Sequence, residues 1–251
     1  MSALEARAVS KQFGGVRALD AVSLRLQAGE VHGLIGPNGS GKTTLLNMLS
    51  GYYPSDAGAI LLGGAPITTA SVRVRARLGV ARTFQKPRLL GALTVLDNVM
   101  VGCWRDAASG FLATALAWPP VRRRQTVLRA RARELALGVG LGHALDRRAS
   151  LLEHAEQRFL EIARALAARP QFLLLDEPAG GLTETEIRHL EAVVLTLREA
   201  GVGVLLVEHH TDFVFRICSR VTTLDCGRII AEGTPEQVRC DPEVNRVYLG
   251  A

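Results

Sequence analysis

The stretch Val31-His32-Gly33-Leu34-Ile35-Gly36-Pro37-Asn38-Gly39-Ser40-Gly41-Lys42-Thr43-Thr44 decides the fold of this chain. Its second half fits G-x-x-x-x-G-K-[ST], the phosphate-binding loop, with Gly36, Gly41, Lys42 and Thr43 at the fixed positions. Glycines let successive backbone N–H groups turn inward around phosphate oxygens, with a helix N-terminus behind them. In such a loop Lys42 reaches the β- and γ-phosphates and the Thr43 hydroxyl ligates Mg²⁺. The flanks supply the context the motif needs. Val31 to Ile35 reads as a buried strand, and Thr44-Leu45-Leu46-Asn47-Met48-Leu49 as an apolar helix stopped at Gly51. A glycine-rich loop without a ligand is the weaker reading in that strand–loop–helix frame. The chain is expected to bind a nucleoside triphosphate.

Outward from the loop, composition sets bounds. At 251 residues and 48% apolar content the chain suits one large α/β domain with room for a subdomain. A mean hydropathy of +0.17 excludes disorder. The longest charge-free apolar run, 107–121, contains Pro119-Pro120 and is too short to span a bilayer. The first residues, Met1 to Arg7, carry no apolar segment behind a basic start, so no signal peptide is expected. Cys103, Cys218, Cys226 and Cys240 lack C-x-x-C spacing and read as reduced thiols of a cytosolic protein.

The net charge of +6 and pI near 9.6 are compatible with a nucleic acid or an anionic membrane surface. The positive charge is nearly all arginine, clustered at Arg73/Arg75/Arg77, Arg122-Arg123-Arg124 and Arg129/Arg131/Arg133. Solvated faces account for these clusters, the last two fitting an exposed helix. No aromatic residues interleave with them, which argues against single-strand binding.

Further along, Val22-Ser23-Leu24-Arg25-Leu26 reads as a half-buried strand. The Gly/Pro-punctuated segment from Gly51 to Thr83 reads as short strands around Ile60-Leu61-Leu62. From about Lys86 to Arg158 the sequence turns helical and arginine-rich, with Leu128, Leu135, Leu137 and Leu141 as its apolar positions. Arg158 to Ala168 is an amphipathic helix ended by Arg169-Pro170. Two more strands are almost wholly apolar. Phe172-Leu173-Leu174-Leu175 runs into Asp176-Glu177, and Val202 to Val207 runs into Glu208-His209-His210. Such strands separated by helices indicate a parallel sheet covered on both faces, whose ligands collect at the strands' carboxyl ends. Val221 to Gly233 reads as a hairpin through Cys226-Gly227.

Asp176, at a strand end well downstream of the phosphate loop, has the place of a Walker B carboxylate that holds the Mg²⁺ shell opposite Thr43. Glu177 beside it is suited to orient and deprotonate the attacking water. An acidic pair alone could equally cap a helix. With the phosphate loop, the chain resembles the ATP-binding-cassette (ABC) ATPases over essentially its whole length. The resemblance implies a RecA-like P-loop NTPase core with a mainly parallel sheet, an antiparallel β subdomain and an inserted helical subdomain. It implies one ABC domain over 1–251, its core at about 1–85 and 159–251 and its helical subdomain at about 86–158.

The family pattern assigns ATP to Phe13 (in Ser10-Lys11-Gln12-Phe13-Gly14-Gly15, against adenine) and to Gly36, Pro37, Asn38, Gly39, Ser40, Gly41, Lys42, Thr43 and Thr44. Mg²⁺ falls to Thr43, Gln85 and Asp176. Gln85 in Arg82-Thr83-Phe84-Gln85 matches the Q-loop, and His209 matches the switch histidine that contacts the γ-phosphate. Catalysis falls to Glu177, His209, Gln85 and Lys42.

Within the superfamily the chain most resembles ATPase subunits of branched-chain amino acid importers. The stretches that carry this are Arg82 to Gln85, Leu93-Thr94-Val95-Leu96-Asp97-Asn98-Val99, Leu160 to Leu166, Glu232-Gly233-Thr234-Pro235-Glu236 and Tyr248-Leu249-Gly250. The helical insert near Pro119-Pro120 resembles the larger of the two ATPases those importers usually carry. Implied partners are transmembrane permease subunits, a second, non-identical ABC ATPase in a head-to-tail dimer, and indirectly a solute-binding protein, with no nucleic acid. The implied location is the cytoplasmic face of the membrane. ATPases for urea, amides or lipopolysaccharide export share much of the pattern, especially the tail, and a soluble, non-transport ABC ATPase and a nucleotide-binding regulator without turnover are further alternatives.

One segment departs from the family. Its signature loop, usually L-S-G-G-Q, is replaced by Leu152-Glu153-His154-Ala155-Glu156. In the family this loop clamps the γ-phosphate bound by the opposing subunit, so a carboxylate there faces like charge. Two readings stand: a weakened site built with the partner, or a variant whose carboxylates point away. The segment Gly180-Gly181-Leu182-Thr183 also lacks the family's usual aspartate.

Overall fold

The structure is a computed structural model that describes residues 2–103 and 119–249. Most of the apolar run 107–121 and Gly250 of the tail lie outside the described residues. The chain divides into two compact units, one of Met1–Gln85 with Gln171–Ala251 and the other of Lys86–Pro170.

The first unit holds two sheets. Strands β1 (Ala3–Phe13), β2 (Val16–Gln27), β4 (Ala57–Leu62) and β5 (Ala65–Pro66) form an antiparallel sheet in the order β2-β1-β4-β5. Its strands alternate, so that Leu4, Ala6, Leu24, Leu26 and Ile60 face a core while Arg7, Arg25 and Gln27 face water. The other sheet contains β3 (Val31–Ile35), β6 (Val80–Arg82), β7 (Phe172–Asp176), β8 (Gly203–Val207), β9 (Arg220–Asp225) and β10 (Arg228–Gly233), ordered β10-β9-β3-β8-β7-β6. All its pairs are parallel except the terminal β9–β10 hairpin. Every residue of β3, β7 and β8 is buried, which their near-continuous apolar sequences require of strands covered on both faces. Because β3, β7 and β8 are adjacent and parallel, the phosphate loop, Asp176-Glu177 and Glu208-His209 all leave the sheet at one edge.

The helix behind the phosphate loop, α1 (Lys42–Ser50), buries Leu45, Leu46, Met48 and Leu49 and ends on a left-handed Gly51. The segment before Thr83 corrects the sequence reading. Val72–Leu78 is a helix, α2, and Arg75 on it is 1% exposed rather than solvated. Its guanidinium donates to the carbonyls of Met48 (2.5 Å), Leu49 (2.9 Å), Thr68 (2.8 Å) and Ala70 (3.0 Å). Arg75 therefore supplies the Leu49 carbonyl at the C-terminus of α1 and adds a second donor to Met48, which also accepts from the Gly51 amide. No short strand pattern could have announced it.

In the second unit, helix Val95–Gly102 is capped by the Thr94 hydroxyl, which accepts from the Asp97 amide. Helix Pro119–Gly138 buries Leu128, Ala132 and Ala136, and Val139 and Leu141 are buried just beyond it; of the leucines read from sequence, Leu135 is half-buried and Leu137 alone is exposed, at 51%. Ala132 and Ala136 carry the stripe between Leu128 and Val139, which leaves Leu137 outside it. Helix His154–Ala167 begins four residues earlier than expected. Gly102 packs against this helix so closely that a Cβ there would lie 2.2 Å from the Arg164 carbonyl oxygen. The four cysteines are free thiols.

Candidate functional site

The phosphate loop leaves β3 at Gly36, with φ 152°, and enters α1 through Gly41, with φ 109°. A Cβ at Gly36 would meet the Leu224 carbonyl oxygen at 2.1 Å, and one at Gly41 the Ala18 carbonyl oxygen at 2.6 Å. Only glycine fits either place. Lys42 is buried, and its Nζ donates to the carbonyls of Gly36 (2.6 Å) and Pro37 (2.9 Å). Burial lowers its pKa, and the negative charges of Glu177, Asp176 and Glu208 act in the opposite direction. The loop side of a cavity of about 520 Å³ is formed by Asn38 to Thr44, with Ala18, Gln85 and Glu177 on the other walls. The Ser40 hydroxyl is buried with no hydrogen-bond partner. An orphaned hydroxyl beside an inward-turned backbone and a lysine held only by carbonyls is the donor set that phosphate oxygens satisfy. The residues fit a magnesium nucleotide.

Asp176 closes β7, and its Oδ2 is paired with Arg82 Nη2 at 2.8 Å; the two side chains are 4% and 6% exposed. Glu177 follows in a left-handed conformation, φ 47°, its amide donating to the Val207 carbonyl at 2.9 Å. Such a backbone costs a non-glycine residue roughly 1–2 kcal/mol, a strain that tends to be kept where function needs the side chain aimed. Its Oε2 accepts from Gln85 Nε2 at 2.8 Å. Gln85 and the candidate base therefore touch directly.

A second cavity, of about 360 Å³, is lined by Gly36, Asn38, Gln85, Glu177, His209 and Tyr248, among others. His209 is half-exposed, its Nδ1 3.8 Å from Glu208 Oε2. Glu208 is fully buried and accepts from the amides of Ala179 (2.7 Å) and His209 (3.1 Å). Burial raises its pKa, while those amides oppose the shift. Phe13 is 43% exposed, packs edge-on against Tyr53 at 5.3 Å and does not line either cavity. Arg82, Glu208 and Tyr248 were not singled out from sequence as site residues. For Arg82 and Glu208 a signal existed, since each is a charged residue at the carboxyl end of a core strand. For Tyr248, far along the chain, there was none.

The departed signature segment lies in the second unit. Glu156 Oε2 accepts from the Glu153 amide at 2.8 Å, which explains the early start of the helix. Its Oε1 takes His143 Nε2 at 2.9 Å and Arg147 Nη1 at 3.2 Å. Burial works against the charge on Glu156, but the Glu153 amide, His143 and Arg147 outweigh it and hold the pKa below the usual value. The like charge expected of Glu156 is thus compensated by its own unit.

A parallel sheet whose switch edge carries a phosphate loop, a buried aspartate and a strained glutamate defines a P-loop nucleotide-binding protein. The family model described as ABC transporter matches residues 19–180, and that described as Branched-chain amino acid ATP-binding cassette transporter matches 228–251. The chain is 39% identical over 248 residues to the high-affinity branched-chain amino acid transport ATP-binding protein LivG of Escherichia coli K12, covering 98% of this chain and 97% of that one. BraF of Pseudomonas aeruginosa, described in the same words, is equally similar over the same shares. The lipopolysaccharide export system ATP-binding protein LptB of Escherichia coli K12 is 36% identical, over 100% and 98% of the two chains. Among solved structures, the ADP conformation of an ATP-binding cassette of an ABC transporter matches with a TM-score of 0.86 and 31% identity, covering both chains fully. The chain belongs to the ABC transporter ATP-binding family. It is an ATPase subunit whose hydrolysis is coupled to transport, with ATP and Mg²⁺ as cofactors.

Proposed function

We propose that this chain energises import of branched-chain amino acids or a related small polar solute, as one half of a head-to-tail ATPase pair under transmembrane permeases. The similarity to LivG and BraF, at 39% against 36% for LptB, supports that substrate class over lipopolysaccharide export. The second ATPase is a non-identical relative, and a solute-binding protein delivers the cargo from the far side. No helix among the described residues is long and apolar enough to cross a membrane, and the proposed location is peripheral, on the cytoplasmic face. All of 1–251 works as one cassette.

The convergence of Lys42, Gln85, Glu177 and His209 on adjoining cavities at one sheet edge carries the mechanism. Loop amides, Lys42 and the Ser40 hydroxyl hold the β- and γ-phosphates. Thr43, Gln85 and Asp176 hold the magnesium shell, and bound magnesium neutralises charge that develops as the γ-phosphoryl leaves. Glu177, aimed by its left-handed backbone and held by Gln85, orients water and takes its proton on a carboxylate oxygen. His209 presents its ring to the same space, and the buried Glu208 joins it to the Ala179 turn beyond Glu177. Phe13 stacks on the base by the family pattern alone, since its ring packs on Tyr53 and lines neither cavity.

Replacing Glu177 by Gln tests this. Turnover is expected to fall by about 10²-fold or more while ATP binding persists and an ATP-bound dimer accumulates on size exclusion. Undiminished turnover contradicts the role of Glu177 as base.

A further inference from the structure

Arg82 ends β6, paired with Leu174 of β7 two residues before Asp176. Every nitrogen of its guanidinium is engaged. Nη2 donates to Asp176 Oδ2 at 2.8 Å, Nη1 to Asn47 Oδ1 at 2.5 Å and Ser50 Oγ at 3.2 Å, and Nε to the Thr83 carbonyl at 3.2 Å. The group also lies 5.1 Å from the Phe84 ring centre and 5.7 Å from that of Tyr52. A planar fork held by three bonds at Nε and Nη1 dictates how the partner of Nη2, the Asp176 carboxylate, is turned. Lysine could supply the charge there but not the fork.

We infer that Arg82 is a positioning residue for magnesium: by gripping Oδ2 it sets the direction in which Asp176 meets the metal shell. The pair has two opposed effects on a cation. The arginine's charge repels it, and the imposed carboxylate orientation favours it. Arg82 also heads the segment Arg82-Thr83-Phe84-Gln85, whose glutamine touches Glu177, so one short turn holds both the metal carboxylate and the candidate base. Asn47 and Ser50, on the helix that follows the phosphate loop, are the anchors that lock the fork. The inference rests on Asp176 serving magnesium, and its test separates the two.

Affinity of the full-length chain for a fluorescent ATP analogue is measured in EDTA and across a Mg²⁺ titration. Arg82→Lys keeps the charge and loses the fork. It is expected to bind the analogue in EDTA as the wild type does, while the half-saturating Mg²⁺ concentration rises about tenfold, the usual scale for loss of a group that orients a metal ligand. Asn47→Ala, which removes the shorter of the two Nη1 bonds without touching the ion pair, should shift it in the same direction by less, and keeps the inference testable if Arg82→Lys folds poorly. A wild-type Mg²⁺ dependence in both variants overturns the inference. So does an equal loss with and without metal, which would mark a scaffold role. Asp176→Asn is the control. If it leaves the Mg²⁺ dependence unchanged, the magnesium reading of Asp176 itself fails; if it abolishes the dependence while Arg82→Lys does not, only the role of Arg82 fails.

Discussion

His32, one strand position into the segment that decides the fold, is fully buried, its Nε2 2.8 Å from the Thr222 hydroxyl oxygen. Burial first, and the Arg220 charge second, push its pKa down to about 4. The folded state thus holds His32 neutral at pH values where an unfolded chain, with an ordinary histidine near 6.5, takes up a proton. Between these values the unfolded state binds more protons, so stability is full above about pH 6.5 and falls as the pH drops towards 4, by up to about 3 kcal/mol. Urea melts at pH 7.5 and pH 4.5 check this. In His32→Gln the difference between the two should shrink by most of that amount, and an unchanged difference contradicts it. At this scale, legibility follows sequence distance. Gly36, Gly41 and Lys42 are readable because the loop they build is local. Arg82 and Glu208 matter through partners such as Asp176, Asn47 and Ala179 that only the folded sheet brings near. The role of Phe13 is carried by pattern alone, since its ring packs on Tyr53 outside the lining of both cavities.

The strands were legible and the short helix α2 was not. β3, β7 and β8 are unbroken apolar runs, and burial on both faces leaves no other reading. α2 has three arginines in seven residues, and its reason to exist is tertiary. Burial lowers the Arg75 pKa to about 10, which still leaves it charged at neutral pH. Arg75→Met removes the charge and the donor to the Leu49, Thr68 and Ala70 carbonyls, while the Met48 carbonyl keeps the Gly51 amide. A loss of about 3 kcal/mol or more is expected by urea denaturation. A loss under about 0.5 kcal/mol, ordinary for a surface position, would show that Arg75 bears no such load. The helix His154–Ala167 makes a different point. Sequence presented Glu156 as a repulsive charge, whereas the helix uses it as its own cap and compensates it with His143 and Arg147. Glu153→Ser with Ala155→Gly is therefore expected to change the transporter's ATPase rate little, and a large rise would support the weakened-site reading instead.

At the scale of the molecule, the sheet order places β3, β7 and β8 side by side, so three separate strand ends deliver one site. This was foreseeable, because parallel strands joined by helices leave their loops on the same edge. The antiparallel sheet was legible only through the family resemblance, since loosely alternating strands do not announce their partners. The transported solute is not written in the two cavities, which are lined by the phosphate loop, Gln85 and Glu177, and the substrate class rests on relatives. The measurement that tests the central claim most directly is purification of the tagged chain from gently solubilised native membranes, with mass spectrometry of what accompanies it. The account predicts two permeases and a second, non-identical ABC ATPase in stoichiometric amounts. Ribosomal proteins, nucleic acid, or the absence of any membrane partner would contradict it.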